Sequence, residues 1–524
     1  MNSIPVPLGR TILLAVALAL AGCANLPDDR GLSDVRELLT ARDAALGTQS
    51  KSLHSGAAPE LERQVETLLH EPLTPERAVG VALLRHPDVR LQYARLGLAQ
   101  ADWLEASRLS NPVLSLSVLE SNAPGEGSRL GFGLVQNFGD LLFLRQRGHA
   151  ADAQLAHERA AVAAALQRLA ADVTARYYDW VGAAQLAQMR ALLATAAEAS
   201  AELARRFHAA GNLDALGLAR EEAAAQQAHL DAEAANAASE AARIALNAAM
   251  GLAPFELWSA EPKLALPVTD ETALPELVAL GQRQRLDLQA TQREIEALQS
   301  AAALAQRLRW LPFVEVGVEG ERETDGTRLF GPTLSLSLPL FGQSRSGALR
   351  AQALLERSQA QRAMLSSAAA NDIAAAYARL LAARARSERY RVGLIPQREA
   401  IVARTQELQN YMIVGQFELL LAKQQEYAAY EGYLEALRDY WLARVDLSRA
   451  VGGALPSDAR IGNADVGSIV LPAAADTSDA HSQHHPHHDG MTMPGAPEAQ
   501  PMAADPHAHH RGPDASAHDP HGAH

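Results

Sequence analysis

The chain has 524 residues, a formal net charge of −14, 5% aromatic residues and one cysteine. That length ordinarily means several globular domains, but alanine dominates and apolar side chains recur at helical spacing over very long runs, the profile of extended helices packed side by side. The acidic balance leaves no basic footprint for nucleic acid, and a lone cysteine excludes an intramolecular disulfide.

Residues 1–22 read as a secretory leader: one positive charge at Arg10, then the apolar run from Thr11 to Leu20, too short for a permanent span. The leader ends in Leu20-Ala21-Gly22-Cys23, which resembles the bacterial lipobox, in which the cysteine thiol receives the lipid. An ordinary signal peptide with a chance cysteine is the alternative. Ala24, rather than an aspartate, resembles the outer-membrane-sorted kind. A lipid alone needs a second attachment for stable anchoring.

Residues 23–72 form a lipidated tether with short helices, expected at Asp34–Leu39, with Ser33 as N-cap, and at Glu60–His70. A first repeat spans 73–251. Thr74 caps its opening helix and Pro75 takes the first helical position, where a missing N–H costs nothing. His86-Pro87-Asp88-Val89 restarts the helix, which runs to about Leu109 and feeds a β-hairpin at 111–139. In its first arm Leu114, Leu116 and Val118 share one face and Ser115 and Ser117 the other; in the return arm Phe132, Leu134 and Phe138 share a side. From about Leu141 to Ala210 one helix of roughly 100 Å is predicted, with Val162, Leu166, Leu169, Val173, Tyr177 and Trp180 as a coiled-coil-like seam. Ala210-Gly211-Asn212 breaks it, a helix returns from about Asp214 to Met250, and Gly251 and Pro254 close the unit.

A proline-containing linker, 252–275, leads to a second repeat at 276–453. A helix at Leu277–Arg309 opens it, with Leu286-Asp287-Leu288 echoing Pro87-Asp88-Val89. A hairpin at 311–342 sets Val314, Val316 and Val318 against Glu315, Gly317, Glu319 and Glu321, turns at Thr324-Asp325-Gly326-Thr327, and returns with Phe330, Leu334, Leu336, Leu338 and Leu340 opposite Thr333, Ser335 and Ser337. A long helix from Gly347 towards Val414 breaks at Val414-Gly415-Gln416, and a closing helix runs to about Ala450 before Gly452. The same unit is written twice.

Apolar–polar alternation over segments near ten residues is what a transmembrane β-barrel needs, although a sheet lying on a soluble core shows it too. The leader and lipobox, with Trp310, Phe313, Phe330 and Phe341 near the strand ends as an interfacial aromatic belt, favour the membrane. Each chain offers four strands, whereas bacterial barrels close with at least about eight. An open edge in lipid leaves backbone groups unsatisfied. The barrel must be shared between chains, and the count alone does not say how many.

Together these features resemble the TolC family of outer-membrane efflux proteins, and more narrowly its lipoprotein members serving heavy-metal efflux. The resemblance rests on Leu73-Thr74-Pro75-Glu76-Arg77-Ala78, His86-Pro87-Asp88, Asn111-Pro112, the hairpin exits Phe138-Gly139 and Phe341-Gly342, the breaks at Gly211 and Gly415, and the run from Glu431 to Trp441. It covers roughly Asp34 to Gly453. It implies a mainly α chain with a transmembrane β-barrel portion: a homotrimer whose twelve-stranded barrel, four strands per chain, continues into a long α-helical periplasmic barrel. The implied role is that of a passive conduit, not an enzyme, in the outer membrane, lipid-anchored and barrel-spanning. Its implied partners are outer-membrane lipid, a periplasmic adaptor (membrane fusion) protein and an inner-membrane RND-type pump. The same resemblance makes Gly211, Asn212, Val414, Gly415 and Gln416 the adaptor-docking tip turns; simple helix punctuation is their other reading. Some relatives gate the tip with aspartates. Asp214 and Glu418 lie near, but Leu420 and Lys423 follow, so no aspartate ring is assigned.

Residues 454–524 form a tail expected to be disordered, rich in Pro, Ala, Asp and His. It carries His481, His484, His485, His487, His488, His507, His509, His510, His518, His521 and His524, with Met491, Met493 and Met502 interspersed. Neutral imidazole suits Zn, Cu, Ni or Co, and thioether leans towards Cu(I). No cofactor is expected beyond divalent or Cu(I) ions held weakly there, released as pH falls through about 6.5. A low-complexity extension without a role is the plain alternative. No phosphate loop, nucleophile elbow or zinc-protease motif occurs, and His149, His157, His208 and His229 sit singly in long helices. The expected cargo is a heavy-metal ion such as copper, silver, zinc, cobalt or nickel. A channel for drugs or secreted protein, and a periplasmic coiled-coil lipoprotein that buffers metal without forming a pore, remain alternatives.

Overall fold

The computed structural model describes residues 29, 31–50, 58–120, 127–307, 313–337 and 343–458. The chain divides into two units, 1–471 and 472–524. The leader, Cys23, Trp310, Phe341 and every histidine and methionine of the tail lie outside the described residues.

Three short helices come first: α1 (Leu32–Thr40), α2 (Ala44–Gln49) and α3 (Ala58–His70). Ser33 does not cap α1. Gly31 holds the cap position in a left-handed conformation, and the Asp29 carboxylate accepts from the backbone N–H groups of Gly31 (3.0 Å) and Ser33 (2.8 Å). The unforeseen α2 is started by Asp43, whose side chain accepts from the Leu46 N–H at 2.9 Å.

The first half then runs α4 (Pro75–Arg85), α5 (Pro87–Ala106), β1 (Val113–Leu119), β2 (Arg129–Asn137), α6 (Phe138–Ala209) and α7 (Ala215–Met250). Thr74 caps α4 with Pro75 in its first turn, and His86 Nδ1 accepts from the Asp88 N–H at 3.2 Å to restart the chain as α5. The 72 residues of α6 extend about 108 Å at helical rise. All six residues of its predicted seam, Val162 to Trp180, are buried.

The second half repeats that order: α8 (Leu274–Gln284), α9 (Leu286–Arg307), β3 (Phe313–Arg322), β4 (Arg328–Ser337), α10 (Gln343–Glu388), a π-turn (Arg389–Leu394), α11 (Ile395–Asn410) and α12 (Gln416–Val451). Two expectations change. The helix expected at 277–309 is two helices, broken at Arg285 as the first half breaks at His86. The helix expected to run unbroken to Val414 is interrupted by the π-turn just ahead of Pro396. Proline has no N–H, and its ring crowds the carbonyl four residues back, so widening the preceding turn relieves the clash.

The four strands form one antiparallel sheet in the order β1-β2-β3-β4. The helices below keep that order: α6 packs on α5 and α7 to one side and on α9 and α12 to the other, and α9 and α12 pack in turn on α10 and α11. The unit is therefore four parallel lanes: β1 with α5 and α7, β2 with α6, β3 with α9 and α12, and β4 with α10 and α11. Mid-length, the lanes are thickened by α4, α8 and the linker. Tyr178 stacks on Trp441 at 5.0 Å, and Trp180 meets Trp258 edge-on at 4.6 Å. Trp441 Nε1 donates to the Ala265 carbonyl (2.8 Å), and the Val268 N–H donates to Tyr440 Oη (2.9 Å). The linker is thereby fastened to α12.

Candidate functional site

The sheet has two chemically opposite faces. Its register sets Leu114 beside Leu134 and Leu134 beside Val318, and Leu116 beside Phe132 and Phe132 beside Gly320. Across β3 and β4 it sets Val314 beside Leu336, Val316 beside Leu334, and Gly320 beside Phe330. Every one of these residues belongs to one face. The rings of Phe132 and Phe330 lie 6.4 Å apart over Gly320, where a Cβ would stand 2.3 Å from the Phe132 ring. Leu116 is 75% exposed and Phe330 72%, far from the burial of a soluble core. The Phe330 of the expected aromatic belt is thus on the apolar face. Phe138 opens α6 instead of ending β2.

The opposite face carries Ser115, Ser117, Gly131, Gly133, Glu315, Gly317, Glu319, Glu321, Thr333 and Ser335. Small residues keep this side open, and Ser115, Glu315, Glu319, Thr333 and Ser335 line one groove on it. Arg129 holds Glu321 with a bidentate pair, joining β2 of the first hairpin to β3 of the second.

At the far end of the lanes lie two tight turns. In the first, Gly211 is left-handed (φ +77°), the Asn212 N–H donates to the Phe207 carbonyl at 2.8 Å, and Asp214 caps α7 by accepting from the Gly217 N–H at 2.8 Å. That cap engages Asp214, to which no gating role is assigned, within its own turn. The second turn is built alike, but its left-handed residue comes three positions earlier than Gly415. Met412, not Gly415, takes the left-handed position (φ +57°), and the Ile413 N–H donates to the Leu408 carbonyl at 2.9 Å. Gly415 is the N-cap of α12, without a side chain to accept, between half-buried Val414 and exposed Gln416. Phe207 and Phe417 meet edge-on at 6.4 Å, so the two turns sit side by side. Sequence reasoning missed Met412, Tyr411 and Ile413, all exposed and Met412 92% so; an apolar triplet between two polar helix ends was the available signal.

Among the described residues no group of histidine, cysteine and acidic side chains could hold a metal, and no helix is long and apolar enough to cross a membrane. His208 Nδ1 lies 2.8 Å from the Leu213 carbonyl, and His229 lies 3.5 Å from Glu198.

No family profile and no curated protein matches the sequence. Solved structures do. The outer membrane protein VceC of Vibrio cholerae aligns at 17% identity over 72% of this chain and 96% of that one, with a TM-score of 0.60. CusC, studied for the changes that accompany folding and transmembrane channel formation, aligns at 14% over 74% of this chain and 94% of that one, with a TM-score of 0.61. The MtrE outer membrane channel of Neisseria gonorrhoeae, in its open state, aligns at 17% over 72% and 89%, with a TM-score of 0.59. The chain has the TolC-like fold, mainly helical with one four-stranded antiparallel sheet.

Proposed function

We propose that this chain is the outer-membrane channel of a tripartite efflux system, a passive conduit formed by three copies. The carrying observation is the sheet. All four strands contribute to one face that is apolar from Val314 to Gly320 across its middle and polar only towards its ends, at Gln136, Arg322 and Arg328, and nothing within the described residues pairs with the outer edges of β1 and β4. On β3 the apolar stretch from Val314 to Gly320 measures about 20 Å along the strand, close to the ~25 Å apolar band of outer-membrane barrels. Strands of seven to ten residues suit a tilted crossing. Lipid covers the apolar face, and β1 of one copy pairs with β4 of the next. Outer-membrane channels among the solved structures of like fold support the same reading.

In this reading the lane helices form the periplasmic barrel, and the turns at Gly211 and Met412 meet the adaptor of an inner-membrane RND-type pump. Cys23 carries the lipid, and the histidines and methionines of the tail collect metal ions, the proposed cargo. Planar-bilayer recording and heat-modifiable migration test the conduit: discrete conductance steps from a detergent-extracted oligomer support it, and a water-soluble monomer without conductance overturns it. For the cargo, deletion of residues 470–524 should lower cellular tolerance to copper, zinc, cobalt or nickel. Unchanged tolerance to all four removes the tail from the mechanism.

A further inference from the structure

The hairpin of β3 and β4 ends in two arginines on the apolar face of the sheet. Arg322 closes β3 and Arg328 opens β4, at the end of the sheet away from the helices. The register sets them directly opposite each other, on the face shared by Val314, Val316, Val318 and Gly320. Both side chains are exposed, and neither guanidinium has an acidic partner among the described residues.

The acids of the same hairpin end are engaged elsewhere. Glu321 and Glu323 belong to the opposite face, where both meet Arg129, Glu323 at 3.6 Å. The Asp325 carboxylate accepts from the Thr327 N–H within the turn, at 2.8 Å. Across the sheet, the row of Arg322 continues with Leu130 and Val118, so no counter-charge comes from β2 or β1. Like charges directly opposite on a sheet, with Cβ atoms about 5 Å apart, repel each other. An anion between them reverses that sign, and two guanidinium forks suit the oxygens of a phosphate.

The same face continues as hydrocarbon. Gly320 and Phe330 stand two residues from the arginines, about 7 Å along the strands, and the Phe132 ring lies over Gly320. A free anion would use only the charged part of this surface, whereas a phosphate carrying acyl chains would use both. The charge is also one-sided. At the end of this face nearer the helices stand Val314, Leu336 and Gln136, none of them charged.

We propose that Arg322 and Arg328 bind the phosphate of an anionic lipid in the outer leaflet, with its acyl chains lying over Phe330 and Phe132. The site rests on the channel reading above, which puts lipid on this face and the helix-free end of the sheet outside the cell. The pair then stands where hydrocarbon gives way to headgroups, the depth at which a charged side chain on the lipid face of a barrel costs least. Each copy carries one such site.

Native mass spectrometry of the full-length oligomer in non-ionic detergent tests it, with three probes: lipid A bearing its phosphates, the same lipid stripped of them, and inorganic phosphate. The unsubstituted chain should take up to one lipid A per copy and hold it roughly tenfold or more tightly than the stripped lipid, a factor of ten or more in Kd. Arg322→Gln with Arg328→Gln should bring lipid A down to the affinity of the stripped lipid, whereas Arg362→Gln, at an exposed position of α10, should leave it unchanged. Equal binding of the two lipids by the unsubstituted chain overturns the site and needs no variant to fold. Lipid A binding that ignores the double substitution overturns it as well, and inorganic phosphate that displaces lipid A at equal concentration overturns a lipid as the occupant. An oligomer that conducts in planar bilayers and gives any of these results loses the lipid site and leaves the channel standing. An unsubstituted chain that neither forms an oligomer nor conducts overturns both.

Discussion

Gly251 backs directly onto the backbone of His86. It ends α7 in a left-handed conformation (φ +74°), and a Cβ there would stand 2.7 Å from His86 Cα. The second half has a counterpart: Gly452 (φ +84°) ends α12, where a Cβ would meet Arg285 at 3.0 Å (Cγ) and 3.2 Å (Cα). In each half, the returning helix ends against the break between the two opening helices. The two sites differ in what must move. At Gly251 the obstacle is backbone, whereas at Gly452 the nearest atom belongs to a flexible side chain. Gly251→Ala should therefore cost about 2–4 kcal/mol, adding overpacking to left-handed strain, and Gly452→Ala about 1–2 kcal/mol. Thermal unfolding of the extracted protein, followed by circular dichroism at 222 nm, ranks them.

The tip turns invite an exchange experiment. Met412 holds a left-handed conformation that Gly211 holds in the other turn, and an L side chain there costs about 1–2 kcal/mol. Met412→Gly should raise stability by up to about 1 kcal/mol, because glycine's greater freedom in the unfolded chain returns part of the gain. Gly211→Met should lower it by about 1–2 kcal/mol. Opposite signs in a chemical-denaturation series confirm that the two turns are one design; equal signs contradict it.

How far the sequence carried this reading follows from where its signals are local. The 3.6-residue period of Val162 to Trp180 needs no tertiary knowledge, and neither does the strict alternation of Val314 to Glu321 or the Thr74-Pro75 start. The break at Arg285 was hidden because Leu286 replaces the proline that marks the first break. There the Arg285 side chain pairs locally with Asp287 and reaches the distant Ala450 carbonyl, a tertiary contact. Pro396 was visible, but a proline can end, kink or widen a helix, and packing on α12 selects among these. Gly415 misplaced the second tip turn, since glycine advertises a left-handed residue more strongly than methionine does. At the candidate site, the faces of the sheet were legible; the pairing of β2 with β3, which joins the hairpins, required the fold.

Behind the linker lies a buried ionic cluster. Arg444 and Glu271 form an ion pair with side chains 4% and 3% exposed; Arg444 Nη2 also donates to Asp458 (2.7 Å) and Ser457 Oγ (3.0 Å), and Tyr440 Oη donates to Glu271 (2.7 Å). Arg444→Met would leave the Glu271 carboxylate buried without its cation. The cost should be about 3–5 kcal/mol, as for other broken buried pairs. Arg444→Met with Glu271→Leu removes both charges and should recover part of that loss, a non-additivity that a double-mutant cycle reads directly.

A second ion pair sets a pH dependence of known sign. Burial pushes the Asp287 carboxyl up, but the hydrogen bonds and charge of Arg285 outweigh it and hold the carboxyl below its ordinary 3.8. A depressed folded value means stability that is present above 3.8 and is lost as pH falls through the folded value. The difference in melting temperature between the unsubstituted chain and Asp287→Asn should be constant from pH 7 to 5 and shrink below 3.8. Asp458 runs the other way: burial raises its carboxyl above 3.8 despite Arg444, so its contribution is present at low pH and is lost as pH rises through the raised value.

The polar face of the sheet gives the proposed channel a charge filter. Glu321 is neutralised by Arg129, whereas Glu315 and Glu319 line the groove with Ser115, Thr333 and Ser335. In a closed barrel of three copies these two positions become stacked rings of carboxylates facing water. Rings of one sign in a narrow pore raise the local concentration of the opposite ion and exclude like charge, an effect that falls with ionic strength. In a salt gradient across a planar bilayer, the channel should show the reversal potential of a cation-preferring pore. Glu315→Gln with Glu319→Gln should move that potential most of the way to zero, and more strongly at low salt than at high. Glu321→Gln leaves Arg129 with Glu323 alone, 3.6 Å away, and should also weaken the preference, but by a single charge per copy. A reversal potential unmoved by the double substitution would place the charge selection elsewhere in the conduit, at the helical end and away from the sheet.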